Sequence, residues 1–189
     1  VGAQSKSFYA QMMGEDEAGA FPARKSWLLG TDWTTAFANH EQQWYLEYIN
    51  TSADDLFGKA MPNISYEHST YNSGYRYRGR NMAAWVDGDA EGVTLGGYNF
   101  FPNGNNLGFS ISHTKLNKDN TTRATTTNPD VFYNIPAKAQ NVTIASASYG
   151  MPALHGWLTF NAYYADKKIE LLSDAKDRWA LGAQWRYRF

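Results

Sequence analysis

Three observations predict that this chain is all-β, an antiparallel outer-membrane β-barrel with about eight strands here. Aromatic residues make up 16% while the mean hydropathy is −0.56. The C-terminal segment alternates strictly and ends on Phe189. Long and short connections also alternate along the whole chain. High aromatic content in a polar sequence is a contradiction for a soluble core, and a transmembrane strand resolves it. Such a strand shows lipid only at every second residue, its lumen and loops stay polar, and Tyr and Trp gather at the interfaces. No apolar run is long enough for a membrane helix and no signal-peptide pattern is present, so helical insertion is excluded.

The strands are read in chain order. Phe8 to Met13 has strand composition with untidy alternation. Trp27, Leu29 and Trp33 share a face with Thr31, and Trp44, Leu46 and Tyr48 alternate with Gln43, Tyr45 and Glu47. Val93 to Phe101 is the fourth strand, with a bulge expected near Gly96 and Gly97. Leu107, Phe109 and Ile111 alternate with small residues, Asn141 to Tyr149 follows, and Leu158, Phe160, Ala162 and Tyr164 form the seventh. In the last, Trp179, Leu181, Ala183, Trp185, Tyr187 and Phe189 fall on one face, with Arg178, Gln184, Arg186 and Arg188 on the other. A terminal Phe closing such a strand resembles the signal that outer-membrane barrels present to their assembly machinery.

The gaps between strands run to about ten residues from Gly14, five from Phe37, forty from Ser52, four from Pro102, twenty from Lys118, five from Met151 and nine from Lys167. Barrels of this class have long extracellular loops and short periplasmic turns, so the alternation puts residues 14–23, 52–91, 118–138 and 167–176 outside and both termini in the periplasm. Pro102-Asn103-Gly104-Asn105 suits a tight hairpin, since Asn-Gly tolerates positive φ. Without a linker or repeat, residues 1–189 read as a single β-barrel domain.

Chemistry concentrates in the longest loop. Tyr71-Asn72-Ser73-Gly74-Tyr75-Arg76-Tyr77-Arg78-Gly79-Arg80, preceded by Tyr66-Glu67-His68, interleaves Tyr and Arg beside Gly. Aromatic faces pack on the apolar side of a pyranose, and guanidinium groups grip carboxylates or hydroxyls in bidentate fashion. The candidate polysaccharide contacts are Tyr75, Arg76, Tyr77, Arg78, Arg80, Tyr71, Glu67 and His68. A solvated loop whose arginines pair with nearby carboxylates is the bland alternative. Glu15, Asp16 and Glu17 form a secondary acidic loop that could hold a cation bridging to an anionic glycan, though solvation explains it as simply. Asp87-Gly88-Asp89-Ala90-Glu91 lacks the full spacing of a calcium loop and reads as a turn.

Other classes are excluded or weakened. The chain has no Cys, which removes thiolate metal sites and thiol catalysis, and a net charge of −1 argues against nucleic acid. His40 and His155 fall in short turns, His113 late on a strand and His68 in a loop, with no metal-ligand spacing between them and no base placed for a nucleophile. The expectation is no enzyme, no cofactor and no metal.

Tyr75 to Arg80, Asp87-Gly88-Asp89, the upstream run Gly14 to Gly19 followed by Pro22 and Arg24, and Trp44-Tyr45-Leu46-Glu47-Tyr48 together resemble the pattern of capsule assembly Wzi family proteins, over nearly the whole chain and the family's C-terminal region. That resemblance implies that the chain is part of a larger barrel, of roughly eighteen strands, partly closed on the periplasmic side by a helical element. It also implies a lectin that attaches capsular polysaccharide to the cell surface, with outer-membrane lipid, lipopolysaccharide and the barrel assembly machinery as further partners. A diffusion channel is the alternative, with Arg178, Arg186 and Arg188 facing Glu47 and Asp32 across the lumen. An outer-membrane enzyme is the third reading.

Overall fold

The computed structural model describes residues 5–14, 17–18, 21–22, 24–37, 40–54, 61–71, 73–122, 124–126 and 128–187. Among them there is no helix. Fourteen strands follow in order: β1 (Lys6–Gly14), β2 (Glu17–Ala18), β3 (Phe21–Pro22), β4 (Lys25–Phe37), β5 (His40–Asp54), β6 (Arg76–Tyr77), β7 (Arg80–Asn81), β8 (Glu91–Phe100), β9 (Asn106–Leu116), β10 (Gln140–Ala153), β11 (Gly156–Ala165), β12 (Ile169–Glu170), β13 (Ala175–Lys176) and β14 (Trp179–Tyr187). Eight of them form one antiparallel sheet in the order β1-β4-β5-β8-β9-β10-β11-β14, and the pairs β2-β3, β6-β7 and β12-β13 are small hairpins within long loops. Each neighbour in the sheet is the next long strand in sequence, as in an up-and-down barrel wall.

Register shows why these residues make such a wall. Directly paired residues share a face, and one face carries, row after row, Leu29 with Tyr48, Leu46 with Leu95, Leu95 with Ile111, Phe109 with Ala147, Phe160 with Ala183 and Ala162 with Leu181. Many of these side chains are exposed, Leu181 at 76% and Ile111 at 50%. An apolar face this broad and uncovered suits hydrocarbon, not water. Aromatic residues bound the band at both ends: Trp33, Trp44, Tyr149 and Trp185 toward the short turns, and Trp27, Tyr48, Tyr164 and Trp179 toward the long loops. Trp33 stacks on Trp44 at 6.4 Å, and Trp44 meets Phe109 edge-on at 5.4 Å.

The opposite face is small and hydroxylated. The Ser110 and Ser146 hydroxyls are hydrogen-bonded at 2.7 Å, and those of Thr94 and Ser112 at 2.9 Å. Tyr9, Tyr45 and Tyr98 lie across their cross-strand partners Gly30, Gly96 and Gly108. A Cβ at Gly30 would sit 2.2 Å from the Tyr9 ring, so the ring needs a glycine beneath it. The Tyr9 hydroxyl donates to Glu47 at 2.8 Å and Ser7 bonds Asp32, so β1 satisfies both of these carboxylates, and among the described residues neither is in an ion pair with an arginine.

Several expectations are corrected. The bulge expected near Gly96 and Gly97 is absent, because pairing runs unbroken through both glycines; the register shift falls between Lys25 and Trp27. His40 begins β5 and is not in a turn, resting edge-on against Phe101 at 4.9 Å. Arg178 leaves the polar face, donating to the Tyr164 hydroxyl at 2.8 Å and lying over that ring on the apolar side. Arg188 and Phe189 lie outside the described residues.

Short connections behave as tight turns. At residues 101–105 only Gly104 has positive φ, with its N–H donating to the Phe101 carbonyl at 3.0 Å, so Asn103 does not need the left-handed conformation. Leu154 and His155 join β10 to β11 with φ of 51° and 58°, the two positive values of a type I′ hairpin. Neither residue favours that region. Leu154→Asn with His155→Gly is therefore expected to stabilise the hairpin by about 1 kcal/mol, read as slower amide exchange at the Ala153 and Gly156 ends.

The long loops gather at one end of the sheet and cover its polar face there. Their core is Val86, Ala90, Leu116, Val142, Ala165 and Ile169, all buried. Backbone bonds tie the loops together: the N–H of Asn134 to Gly79 O (2.8 Å), of Leu172 to Ile135 O (2.9 Å) and of Lys118 to Asp89 O (2.8 Å). β5 continues through the expected loop start at Ser52 to Asp54, so Thr51, Ser52 and Ala53 are buried beneath this cap.

Candidate carbohydrate site

The loop between β5 and β8 is built around one arginine. Arg76 donates from Nε to Asp87 Oδ2 at 2.8 Å and from Nη2 to Glu67 Oε1 at 2.7 Å, with a second close contact from Nη2 to Asp87 Oδ1. Its side chain is 2% exposed and those of Glu67 and Asp87 are equally hidden. Burial opposes the guanidinium charge, but the two carboxylates outweigh it and hold the group above its ordinary pKa. Arg76 was expected to contact polymer; buried on two carboxylates, it offers nothing to a ligand and instead fixes the loop. Glu67 is likewise committed to Arg76, and Thr122 approaches it from the neighbouring loop at 3.4 Å.

Around this ion pair the backbone is tightly folded. Tyr66 has φ of 66°, its carbonyl accepts from Tyr75 N–H at 3.0 Å and its hydroxyl accepts from Ala84 N–H at 2.8 Å. Gly74, at φ 59°, passes so close that a Cβ would fall 1.8 Å from the Tyr66 carbonyl oxygen. Arg78 and Gly79, at φ 48° and 74°, make the tip of the β6-β7 hairpin, where Arg78 lies over the Tyr77 ring at 5.5 Å.

Asp89 is buried and accepts from Asn63 N–H at 2.9 Å. Burial first, then the charges of Asp119, Glu67 and Asp87, push its carboxyl up to about 6, against the opposing effect of the Asn63 bond. Between the ordinary value of 3.8 and about 6 the folded loop therefore binds more protons than the unfolded chain. Its stability falls as pH rises through that window and is fully lowered above it. Amides of residues 63–90 are expected to be better protected from exchange at pH 5 than at pH 7, after correction for intrinsic rates, and Asp89→Asn should flatten the difference.

The folded loop brings four of the eight sequence candidates to one cleft of about 480 Å³, lined by Tyr66, Glu67, His68, Tyr71 and Tyr75 together with Arg24 and the end of β1. Tyr71 and Tyr75 are well exposed, and Tyr66 meets Tyr75 edge-on at 6.1 Å. The His68 ring lies 4.8 Å from that of Tyr71, and its Nδ1 accepts from Thr70 and Tyr71 N–H at 3.0 and 3.1 Å, which places the proton on Nε2. Tyr77 and Arg78 stand exposed at the hairpin tip. Arg80 lines a separate cavity with Trp85, Phe132 and Asn134. Those last three carry no motif in the sequence; they are isolated residues of two loops. Glu15 and Asp16 lie outside the described residues, as does the Glu17 side chain. Asp87 and Asp89, read from the sequence as part of a turn, have the positive φ of tight bends, 64° and 53°, and are buried. Among the described residues no three His, Cys, Asp or Glu side chains are disposed to hold a metal.

The fold is thus that of an antiparallel barrel wall, with a loop cap that gathers tyrosines, an imidazole and an arginine around one cleft. The family model for capsule assembly protein Wzi matches residues 2–180, and the chain belongs to that family. Its fold is similar to the solved structure of Wzi from Escherichia coli, described as an outer membrane protein involved in group 1 capsule assembly and a carbohydrate-binding β-barrel. That likeness has a TM-score of 0.75 at 20% identity and covers 94% of this chain and 37% of the solved one. No curated protein sequence matches the chain significantly.

Proposed function

We propose that this chain is the C-terminal wall of an outer-membrane barrel that binds capsular polysaccharide at the cell surface and helps retain it, without catalysing a reaction. The observation that carries the reading is the cleft of Tyr66, His68, Tyr71, Tyr75 and Arg24 at the long-loop end of a sheet with a girdled apolar band. Tyr71 and Tyr75 supply stacking faces, His68 and Arg24 supply donors, and Tyr77 and Arg78 extend the surface at the hairpin tip. Arg76 and Glu67 act behind them by holding the loop's shape. Each sugar contact is weak, and retention comes from many repeats of one polymer meeting many copies of the protein.

In this reading residues 1–189 form a single domain with the rest of the barrel, whose further strands pair with β1 and β14, since lipid tolerates no open sheet edge. Lipid and lipopolysaccharide contact the apolar band, and the barrel assembly machinery inserts it. The long loops face outward. With no native Cys, Asp130→Cys and Asn103→Cys each give one label site; on intact cells an impermeant maleimide is expected to mark the first and spare the second, and the reverse would invert the topology.

Binding is tested with purified capsular polysaccharide and the full-length barrel carrying Tyr71→Ala and Tyr75→Ala. The variant should insert normally and bind at least tenfold more weakly. Unchanged binding would remove the cleft from the account.

A further inference from the structure

The loop cap holds a second space that shares no residue with the Tyr71–Tyr75 cleft. Where three loops close over the polar face of β9, β10 and β11, a cavity of about 270 Å³ is roofed by Trp85 and Asn134, floored by Ser110 and Ser146, and flanked by Tyr163 and Lys176. A cavity of about 320 Å³ adjoins it, Trp85 and Asn134 lining both, and this second chamber adds Arg80 and Phe132.

Two features distinguish this space from a packing void. Its aromatic side chains are uncovered, Trp85 at 47% and Phe132 at 54%, although each sits in a loop that buries its own core elsewhere. Its charge is one-sided. Among the described residues no Asp or Glu lines either chamber, whereas Lys176 lines one and Arg80 the other. The Lys176 ammonium lies 4.6 Å from the Tyr163 ring centroid, and among the described residues neither it nor Arg80 is in an ion pair with a carboxylate. In a chain of net charge −1, two cations outside any such ion pair, beside exposed aromatic faces, form a receptor for an anion with an apolar face. An acidic sugar has that chemistry: a pyranose ring face to stack, a carboxylate to pair and hydroxyls for the Asn134 amide and the serines.

We propose that these adjoining chambers are a second saccharide site within the loop cap, which takes carboxylate-bearing sugars of the polymer. The proposal rests on the polysaccharide-binding reading and adds the ligand's charge and a second place of contact. Trp85 and Phe132 stack on the sugar rings, and Arg80 and Lys176, one in each chamber, receive carboxylates. At the Tyr71–Tyr75 cleft the single positive charge of Arg24 faces the Arg76, Glu67 and Asp87 cluster, whose charges sum to a net negative one, so it carries no such preference.

The test titrates the full-length barrel with oligosaccharides from an acidic capsular polymer and with the same oligosaccharides after their carboxylates are reduced to alcohols. The parent should bind the acidic form more tightly, with the margin shrinking at high salt. Arg80→Gln with Lys176→Gln should weaken acidic binding at least tenfold and leave the reduced form unchanged, while Trp85→Ala should weaken both and Trp85→Phe restore most of the loss. Amide exchange of residues 76–90 in each variant verifies that the cap stays folded. Equal binding of the acidic form by the double variant and the parent would overturn the second site and leave the Tyr71–Tyr75 cleft standing. A parent that binds neither form would overturn the polysaccharide reading and this inference together.

Discussion

Replacing Arg76 with Gln is expected to open the loop between β5 and β8 at a cost of about 3–5 kcal/mol, because it takes the guanidinium charge away from buried Asp87. Arg76 pairs with both Glu67 and Asp87, and all three side chains are almost wholly buried. The glutamine can donate to one carboxylate but cannot span both. Lysine should fail as well, since its point charge cannot reproduce two-sided donation from Nε and Nη2. Limited proteolysis of the purified barrel reads the outcome. Cleavage within residues 61–90 should rise sharply for Arg76→Gln and Arg76→Lys and stay at parent level for Arg78→Gln, whose side chain is exposed at the hairpin tip. Parent-level resistance in Arg76→Gln would mean that the loop is held by its backbone bonds alone.

The second large effect belongs to the apolar face. Leu181 is 76% exposed, pairs with Ala162 near the middle of β14 and lies between the aromatic rows of Trp179 and Trp185. An arginine there must enter hydrocarbon, and Leu181→Arg is expected to destabilise the barrel by about 2–4 kcal/mol. Gln184→Arg, on the polar face of the same strand and paired with Thr159, should be tolerated. Folding into lipid vesicles, followed by the heat-dependent gel shift of barrels, compares the two. Equal damage would mean that the faces of β14 are assigned wrongly.

The strand wall was legible from sequence because its signal is periodic. Trp179 through Tyr187 alternate without interruption, and the same alternation around Trp44 and Phe109 marks faces that the register confirms. Connection lengths were legible for a similar reason, since each is bounded by such a run. The expected bulge failed because adjacent glycines have more than one use. Gly96 sits under the Tyr45 ring and Gly97 between Trp44 and Phe109, so both serve side-chain contact within a regular ladder. The loop chemistry was legible only as composition. Tyr71, Tyr75 and His68 do line a cleft, but Arg76, identical in type to Arg78 and Arg80, is turned inward by carboxylates nine and eleven residues away. Nothing local distinguishes the three arginines. Trp85, Phe132 and Asn134 meet only because separate loops cross the polar face, a tertiary juxtaposition with no trace in spacing.

The central claim is that the cap of this barrel holds capsular polysaccharide on the cell, and the direct measurement is the ratio of cell-attached to shed capsule. Cells whose full-length protein carries Tyr71→Ala and Tyr75→Ala, inserted at parent abundance, should make the same total polymer while shifting it from the cell surface into the medium. A ratio unchanged from the parent, with the variant present in the outer membrane, would contradict the account.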